Sequence, residues 1–394
     1  MHNGSKLYFS TEYLDQEGTM INTGFKKYLN NLKFTHKLNS KTTFNGYLQY
    51  SHLDRTGPTI SGNKYTSVIR DAVQFRPVEP INNDGLEEGG YDFDDINQRY
   101  LFNPVKNLEN TDRSNRSDVI RGSLAITHKF KPNLYLRVSG TYQVDNRKET
   151  LFFGLDTQQG RRGTDHINGT LTTRRYQTLS TSNTLTYKKK FGKNSFTILG
   201  GLEAQARDSE YARMKNSEIP TDLFGMAKLD LGTSPSIPVT QLSANTLLSY
   251  FARINYSYKN KYLLTATYRA DGSSKFSEDN RWGYFPSFSA GWKLSDENFM
   301  MDLDAVSFAK LRLGWGKTGN NRIGDYDAYS QLNASVSSGY IWGTGQNYTP
   351  GAYQSNLGVP DLRWETTSQT NAGLDLGFFN QKLQATVDYY KKST

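Results

Sequence analysis

Cysteine is absent from the 394 residues of this chain, and so are long hydrophobic runs. Without cysteine, the chain cannot form a disulfide scaffold, a thiolate metal site or a cysteine nucleophile. No run approaches the ~18 apolar residues that a membrane-spanning helix needs, which excludes a helical membrane protein. The first six residues also lack the apolar segment of a signal peptide.

Motifs that carry catalysis or bind cofactors are missing as well. The sequence has no Gly-x-Ser-x-Gly elbow, no phosphate-binding loop and no dinucleotide-binding fingerprint. None of the five histidines has a partner at metal-ligand spacing; they are His2, His36, His52, His128 and His166. Lysine and arginine (47) outnumber aspartate and glutamate (38), but they are dispersed rather than clustered. We therefore predict no enzymatic activity, no catalytic, cofactor-binding or metal site, and no nucleic-acid partner.

The chain is rich in aromatic residues, and its apolar residues recur at every second position in several segments. Tyrosine (26) and phenylalanine (21) are abundant, although the mean hydropathy is below zero. In residues 117–146, Ile120, Leu124 and Ile126 share one parity, and Val138 continues it after a turn. Polar residues occupy the positions between them, which is the pattern of a β-hairpin with one apolar and one polar face.

Hairpins of this kind recur along the chain. They cover residues 28–53, 117–146, 176–207, 247–270 and 364–391. Single strands are predicted at 6–13, 285–294 and 308–317, and a helical turn is predicted between the last two. These strands number about thirteen. Tight turns alternate with long polar connectors, which are residues 54–116, 147–175, 208–245 and 318–363.

This alternation favours a membrane barrel. A strand that crosses lipid must pair its backbone groups with its neighbours, so antiparallel strands close into a barrel with short periplasmic turns and long extracellular loops. We therefore predict an all-β fold, an antiparallel transmembrane β-barrel in the outer membrane, with residues 1–394 as one partial barrel domain. An odd strand number predicts that the barrel is incomplete, because bacterial single-chain barrels use even numbers.

Several features of strands and loops leave alternatives open. Three tyrosines lie close to one turn: Tyr256, Tyr258 and Tyr262. They are consistent with an aromatic girdle at the membrane interface and equally with ordinary cross-strand aromatic pairs. The long connectors carry aromatic residues that suit either ligand stacking or the pinning of loops to each other: Tyr91, Phe93, Tyr100, Phe102, Tyr340, Trp342, Tyr348 and Tyr353. Asp325 and Asp327 are interpreted as solvated loop acids rather than calcium ligands.

One stretch is recognisable. It contains RADGSSKF followed by NRWGYFPS, within residues 250–300, and residues 13–18, 311–326 and 357–392 extend the match. The sequence closely resembles the barrel region of SusC/RagA-type TonB-dependent transporters of the Bacteroidetes outer membrane. We interpret the signature residues as architectural rather than as a ligand site. The signature residues are Arg269, Asp271, Gly272, Ser273, Phe276, Arg281, Trp282, Gly283, Tyr284 and Pro286. The substrate-binding residues remain unassigned.

The resemblance implies a 22-stranded barrel with an N-terminal plug, in contact with outer-membrane lipids. It also implies a SusD-like surface lipoprotein as a lid, and import of oligosaccharides or peptides energised by the TonB complex. On this view the chain is a fragment that lacks the signal peptide, the TonB-interacting region, the plug and the last strands. The alternative function is a surface-exposed all-β glycan-binding module that does not transport.

Overall fold

The computed structural model describes residues 4–57, 68–75, 91–94, 99–162, 166–300, 303 and 305–394. Within them the chain forms eighteen strands: β1 (Ser5–Glu17), β2 (Gly24–Lys37), β3 (Thr42–Thr56), β4 (Tyr91–Asp94), β5 (Arg99–Phe102), β6 (Thr111–Lys131), β7 (Leu134–Phe153), β8 (Asn168–Phe191), β9 (Asn194–Ser217), β10 (Ser234–Pro235), β11 (Val239–Tyr258), β12 (Tyr262–Ser273), β13 (Trp282–Lys293), β14 (Val306–Asn320), β15 (Gln331–Trp342), β16 (Asn347–Asn356), β17 (Glu365–Phe378) and β18 (Leu383–Ser393). Three short helices lie in the connectors: α1 (Val68–Gln74), α2 (Pro104–Glu109) and α3 (Gln158–Arg162). No helix in these ranges is long and apolar enough to cross a membrane.

Thirteen of these strands form one antiparallel meander. Their order in the sheet is β1-β2-β3-β6-β7-β8-β9-β11-β12-β13-β14-β17-β18, so each strand pairs with the next one along the chain. The predicted all-β class is therefore confirmed, and the meander contains the predicted thirteen strands. The sequence pattern missed the other five strands, which lie in connectors: β10 pairs with β9, and β4–β5 and β15–β16 form separate hairpins.

Tight turns join the strands at one edge of the sheet, which we call the turn edge. The Asn39 side chain closes the β2–β3 turn by accepting hydrogen bonds from the backbone N–H groups of Lys41 (2.9 Å) and Thr42 (2.8 Å). Lys259 and Asn260 both have positive φ angles in the three-residue connection between β11 and β12, as the two central residues of a type I′ turn require. Two short 3₁₀ turns between β13 and β14, Leu294–Asp296 and Asn298–Met300, confirm the predicted helical turn.

The opposite edge, the loop edge, differs from the sequence-based expectation in its strand lengths. The predicted connector 147–175 is mostly strand, because β7 continues to Phe153 and β8 begins at Asn168. The connector 208–245 is shortened in the same way by β9 and β11. Beyond the membrane neither face of a strand has to be apolar, so the strict hydropathy alternation is lost while the backbone ladder continues.

A small apolar core stabilises the connectors above the extended strands. Phe152, Ile167 and Ile219 are each at most 7% exposed, and Met226 and Leu229 pack against them. These residues come from β7, the β7–β8 connector and the segment after β9. The loop edge is therefore packed there rather than formed of independent loops.

The two faces of the sheet have opposite character. On one face, the apolar face, the register aligns Ile198, Ile254, Ala266, Phe288 and Trp315 across five neighbouring strands. Large side chains there remain open, for example Phe288 at 57% exposure. The other face, the polar face, carries hydroxyl, amide and charged side chains at the intervening positions. A sheet with this division has one side suited to lipid and one to water.

Aromatic rings border the apolar face at both edges. At the turn edge Tyr262 stacks on Tyr258 and on Trp292, with ring centroids 6.2 Å apart in each pair. At the loop edge Tyr268 stacks on Tyr284 at 6.3 Å. Six residues separate Tyr262 from Tyr268 on β12, or about 20 Å along a strand. This spacing approaches the ~25 Å apolar band of an outer-membrane barrel.

Arginine placed on the apolar face should destabilise the assembled protein. We expect Val138→Arg and Ile254→Arg each to lower the free energy of unfolding by ~2–4 kcal/mol, because both side chains would enter lipid near the middle of the band. Gln205 projects from the polar face, so Gln205→Arg serves as the control, with a change within about 0.5 kcal/mol. Urea unfolding in lipid vesicles measures all three. Unchanged stability in both apolar-face variants would rule out lipid contact.

Candidate functional site

The polar face holds its charged groups in pairs. Arg312 on β14 donates to Asp375 on β17 (2.8 Å) and to Asp388 on β18 (2.9 Å), so one guanidinium joins three strands. Arg121 donates to Gln143 at 2.8 Å, across the β6–β7 pair. These contacts are cross-strand, because opposite residues of an antiparallel pair point to the same side. The polar face is therefore charged, but its charges are neutralised locally by pairing.

A second cluster surrounds Arg269, one of the signature residues. Its Nε donates to Asp271 Oδ1 at 2.7 Å, and its terminal nitrogens donate to Glu203 Oε2 at 3.1 Å. The guanidinium also lies 5.5 Å from the ring centroid of Phe251. Asp271 is only 8% exposed. Two carboxylates and one ring therefore hold Arg269 in place on the polar face.

A wide cavity opens where the polar face meets the loop edge. Its volume is about 1090 Å³, and its wall includes Phe25, Arg55 and Arg113. Arg113 forms a two-point contact with Glu149, at 2.9 Å from Nε and 2.6 Å from the terminal nitrogen. Arg55 lies 5.7 Å from the centre of the Phe25 ring. A cavity of this size can admit a solute much larger than water.

The connector between β12 and β13 holds the centre of the signature. Phe276 is fully buried, and its ring centroid lies 5.3 Å from that of Trp364. Trp364 also packs edge-on against Phe285 at 5.4 Å and donates its Nε1–H to the Arg281 carbonyl at 3.0 Å. A side chain at Gly283 would collide with these rings, since its Cβ would lie 2.5 Å from Phe285 Cζ.

Polar contacts extend this cluster to the long connector between β14 and β17. Lys275 Nζ donates to the Ile323 carbonyl at 2.8 Å and lies 3.3 Å from Asp325. The Asn245 amide donates to Asp325 at 3.1 Å. We call Ser273, Lys275, Phe276, Asp325 and Trp364 together the loop anchor. It ties the β12–β13 connector to the β14–β17 connector, and Asn245 on β11 joins the same cluster.

The interpretation of Asp325 as a solvated acid was wrong. Its side chain is 18% exposed and paired with Lys275. Desolvation raises the pKa of Asp325, but hydrogen bonds from Ser243, Lys275 and Asn245 and the positive charge of Lys275 outweigh it. The net pKa lies below the ordinary value of an aspartate. Asp327 closes a turn by accepting from the Gly324 N–H.

The signature residues do not form one site. Arg269, Asp271 and Ser273 lie on the polar face, and Phe276, Arg281 and Gly283 belong to the cluster around Trp364. On the apolar face, Trp282 stacks on Tyr250 at 6.0 Å, and Gly272 leaves room for the Trp282 ring. Tyr284 stacks on Tyr268 on the same face, and Pro286 lies directly opposite Tyr268 in the β12–β13 register. The sequence pattern did not reveal Trp364 and Asp325 as partners, because both are far along the chain.

Exposed aromatic rings line the β15–β16 hairpin. Tyr340 and Trp342 are each 67% exposed, with ring centroids 5.2 Å apart. Tyr348 and Tyr353 are about half exposed on the paired strand. These rings offer flat surfaces beyond the sheet. The side chains of the other four loop aromatics, Tyr91, Phe93, Tyr100 and Phe102, lie outside the described residues.

The side chains that could ligate a metal do not cluster in the described part of the chain. No three His, Cys, Asp or Glu residues there lie close enough together to hold a metal ion. His52 is paired with Asp118 at 2.8 Å, and His128 with the Thr42 hydroxyl at 2.9 Å. The chemistry that the site offers is therefore hydrogen bonding, ion pairing and ring stacking.

Comparison with known proteins places this geometry in context. The family model described as "TonB dependent receptor-like, beta-barrel" matches residues 59–394. The chain is 32% identical to the TonB-dependent receptor SusC of Bacteroides thetaiotaomicron, over 98% of the chain and 39% of SusC. It is also 32% identical to a TonB-dependent receptor of Formosa agariphila, over 99% of the chain and 36% of that protein. The chain thus spans well under half of the length of these relatives.

Solved structures share the fold. The structure of the RagAB peptide transporter superposes with a TM-score of 0.80 at 24% identity, over 99% of this chain and 42% of that chain. A siderophore receptor of Acinetobacter baumannii, PiuA, superposes with a TM-score of 0.54 at 13% identity, over 99% of this chain and 53% of that one. At these identities the likeness concerns the fold alone.

Removal of the Phe276 ring should loosen the loop anchor. Phe276→Ala leaves a cavity beside Trp364, and a buried Phe→Ala change costs about 3–5 kcal/mol. We expect faster proteolysis within residues 321–364 and a lower thermal midpoint. Phe299, at 62% exposure, gives the matched control, and Phe299→Ala should leave both measurements unchanged. Equal protease resistance in the two variants would contradict the anchoring role.

Acid should also release the β14–β17 connector. Because the pKa of Asp325 is lowered in the folded chain, its contribution to stability is present above the ordinary aspartate pKa of about 3.9 and is lost as pH falls through the lowered value. Hydrogen exchange of residues 321–327, corrected for intrinsic rates, should therefore increase below pH ~4. Asp325→Asn should abolish this pH dependence, whereas Asp361→Asn, at an exposed site in the same connector, should retain it. An unaltered profile in Asp325→Asn would refute the ion-pair argument.

Proposed function

Because the chain belongs to the TonB-dependent receptor-like β-barrel family, we propose that it forms part of the wall of an importer for oligosaccharides or peptides. The family places it in the outer membrane. We further propose that residues 1–394 are part of one barrel domain, and that the TonB complex supplies the energy through another part of the receptor. A SusD-like surface lipoprotein is the proposed partner at the loop edge.

The two-faced sheet is the observation that carries this proposal. A solute that crosses the membrane inside a barrel needs a hydrophilic wall, and the surrounding lipid needs a hydrophobic one. Paired charges such as Arg312 with Asp375 meet the first need. Open apolar side chains such as Phe288 and Val387, at 57% and 65% exposure, meet the second. A soluble glycan-binding module would have to cover such a surface.

Capture of the solute is proposed to occur at the loop edge. The cavity beside Arg55 and Arg113 provides hydrogen-bond donors, and the rings of Tyr340 and Trp342 provide stacking surfaces. Such rings suit the apolar face of a sugar as well as a peptide side chain. RagAB, whose fold this chain shares, is described as a peptide transporter, which favours peptides as the solute. Because the rings suit sugars equally well, the proposal includes both oligosaccharides and peptides.

The role of the loop rings can be tested in cells that produce the full receptor. We expect Trp342→Ala to weaken binding of the imported ligand about threefold to tenfold, which corresponds to the loss of one stacking contact. The probes are fluorescent linear gluco-oligosaccharides and fluorescent oligopeptides. Leu332 lies on the same hairpin at 76% exposure, and Leu332→Ala is the control that should leave binding unchanged. Equal binding by both variants would exclude the rings as contacts.

The same cells test import itself. Uptake of one probe class should disappear when the receptor gene is deleted and when a protonophore collapses the proton gradient. Surface binding that persists without any receptor-dependent uptake would instead support the non-transporting glycan-binding module.

A further inference from the structure

A row of polar residues crosses the centre of the polar face. The register places Ser182 on β8 opposite Glu203 on β9, Glu203 opposite Ser249 on β11, and Ser249 opposite Asp271 on β12. The four side chains therefore lie side by side on one surface, although they are up to 89 residues apart in the chain. This row borders a small cavity.

The cavity, which we call the hydroxyl notch, has a volume of about 210 Å³. The polar side chains in its wall are hydroxyls, one amide and one carboxylate; they include Ser139, Thr141, Ser180, Glu203, Gln205 and Ser249. None of its lining residues is aromatic or positively charged. The volume is below the ~300–1,000 Å³ of pockets for drug-sized ligands, so it suits one small ring or group rather than a chain.

Ser249 is the anomaly of this notch. The residue is fully buried, yet its Oγ has no hydrogen-bond partner among the described residues. An orphaned buried hydroxyl is unfavourable and rare in native proteins. Its two neighbours in the row, Glu203 and Asp271, already accept hydrogen bonds from Arg269. The floor of the notch thus has an unused donor and acceptor.

The charges around the notch restrict what it can receive. Two carboxylates, Glu203 and Asp271, face one guanidinium, Arg269, so this cluster of three groups carries one net negative charge beside the notch. Phosphate, sulfate and uronate groups are repelled there. Glu203 Oε1 accepts one hydrogen bond, from the Ser182 hydroxyl at 3.1 Å, and a carboxylate oxygen can accept more.

We propose that the hydroxyl notch is a subsite for one ring of a neutral saccharide on the import path, an inference that rests on the proposed import function. The hydroxyl groups of the sugar donate to Glu203 and exchange hydrogen bonds with Ser139 and Gln205. Once the side chains that bury Ser249 move aside, one sugar hydroxyl completes the hydrogen bonding of Ser249. A neutral sugar satisfies many hydroxyls within a small volume, which a peptide side chain does not.

The Ser249→Ala variant of the full receptor tests the subsite. We expect its dissociation constant for a neutral linear gluco-oligosaccharide to rise about twofold to tenfold, the effect of one neutral hydrogen bond. The unfolding midpoint should stay the same or rise, because the variant removes an orphaned hydroxyl. Ser289→Ala, at an exposed position of the same face, is the control and should change neither quantity. Unchanged saccharide binding in Ser249→Ala overturns the proposal.

A second variant tests the charge argument. Glu203→Gln removes the net negative charge, so the preference for the neutral gluco-oligosaccharide over its uronate counterpart should fall. A preference equal to that of the wild type overturns the assigned role of Glu203. If the wild-type receptor imports oligopeptides but does not bind saccharide, this inference fails while the import function stands. If the wild type imports neither probe, the proposed function itself fails.

Discussion

In lipid, a backbone N–H without an acceptor has no water to bond to, so each strand must find its partner in the strand beside it. The simplest way to meet this demand is to pair strands in the order in which they are made. The sheet does this from β1 to β18, and each pairing in the meander is antiparallel. The turns between Lys37 and Thr42 and between Tyr258 and Tyr262 are short for the same reason, because partners that are consecutive need no crossover.

Once the ladder sets the register, the parity of each position decides its environment. The same register that aligns Ile254 with Ala266 on the apolar face aligns Arg253 with Thr267 on the polar face. The polar face can therefore hold groups that are distant in sequence but adjacent in space, and it uses this freedom to pair charges. Arg269 with Glu203 and Arg312 with Asp388 are examples, each joining residues more than sixty positions apart. Such pairing keeps a basic chain from presenting a uniformly positive interior.

This division explains which features could be predicted from the sequence. Strands, turns and faces follow from local hydropathy and turn residues, so the thirteen-strand meander and the hairpin at residues 247–270 were predictable. The extension of β7 to Phe153 was not, because a ladder outside the membrane leaves no hydropathy alternation. The pairing of Lys275 with Asp325 and the isolation of the Ser249 hydroxyl were also hidden. Both depend on which strands meet and at what offset, and single-sequence patterns do not contain that information.

The loop anchor combines a short local connector with contacts between residues that are distant in the chain. The β12–β13 connector is only eight residues long, from Ser274 to Arg281, so its strands hold it closely. By burying Phe276 against Trp364 and pairing Lys275 with Asp325, it fixes both ends of the much longer β14–β17 connector. The exposed rings of Tyr340 and Trp342 lie between those fixed ends. A binding surface gains most when its base is rigid, since less freedom is lost on association. In the proposed recognition of a solute by these rings, Phe276 and Lys275 thus act indirectly, because they hold the base of a hairpin whose tip is open to solvent.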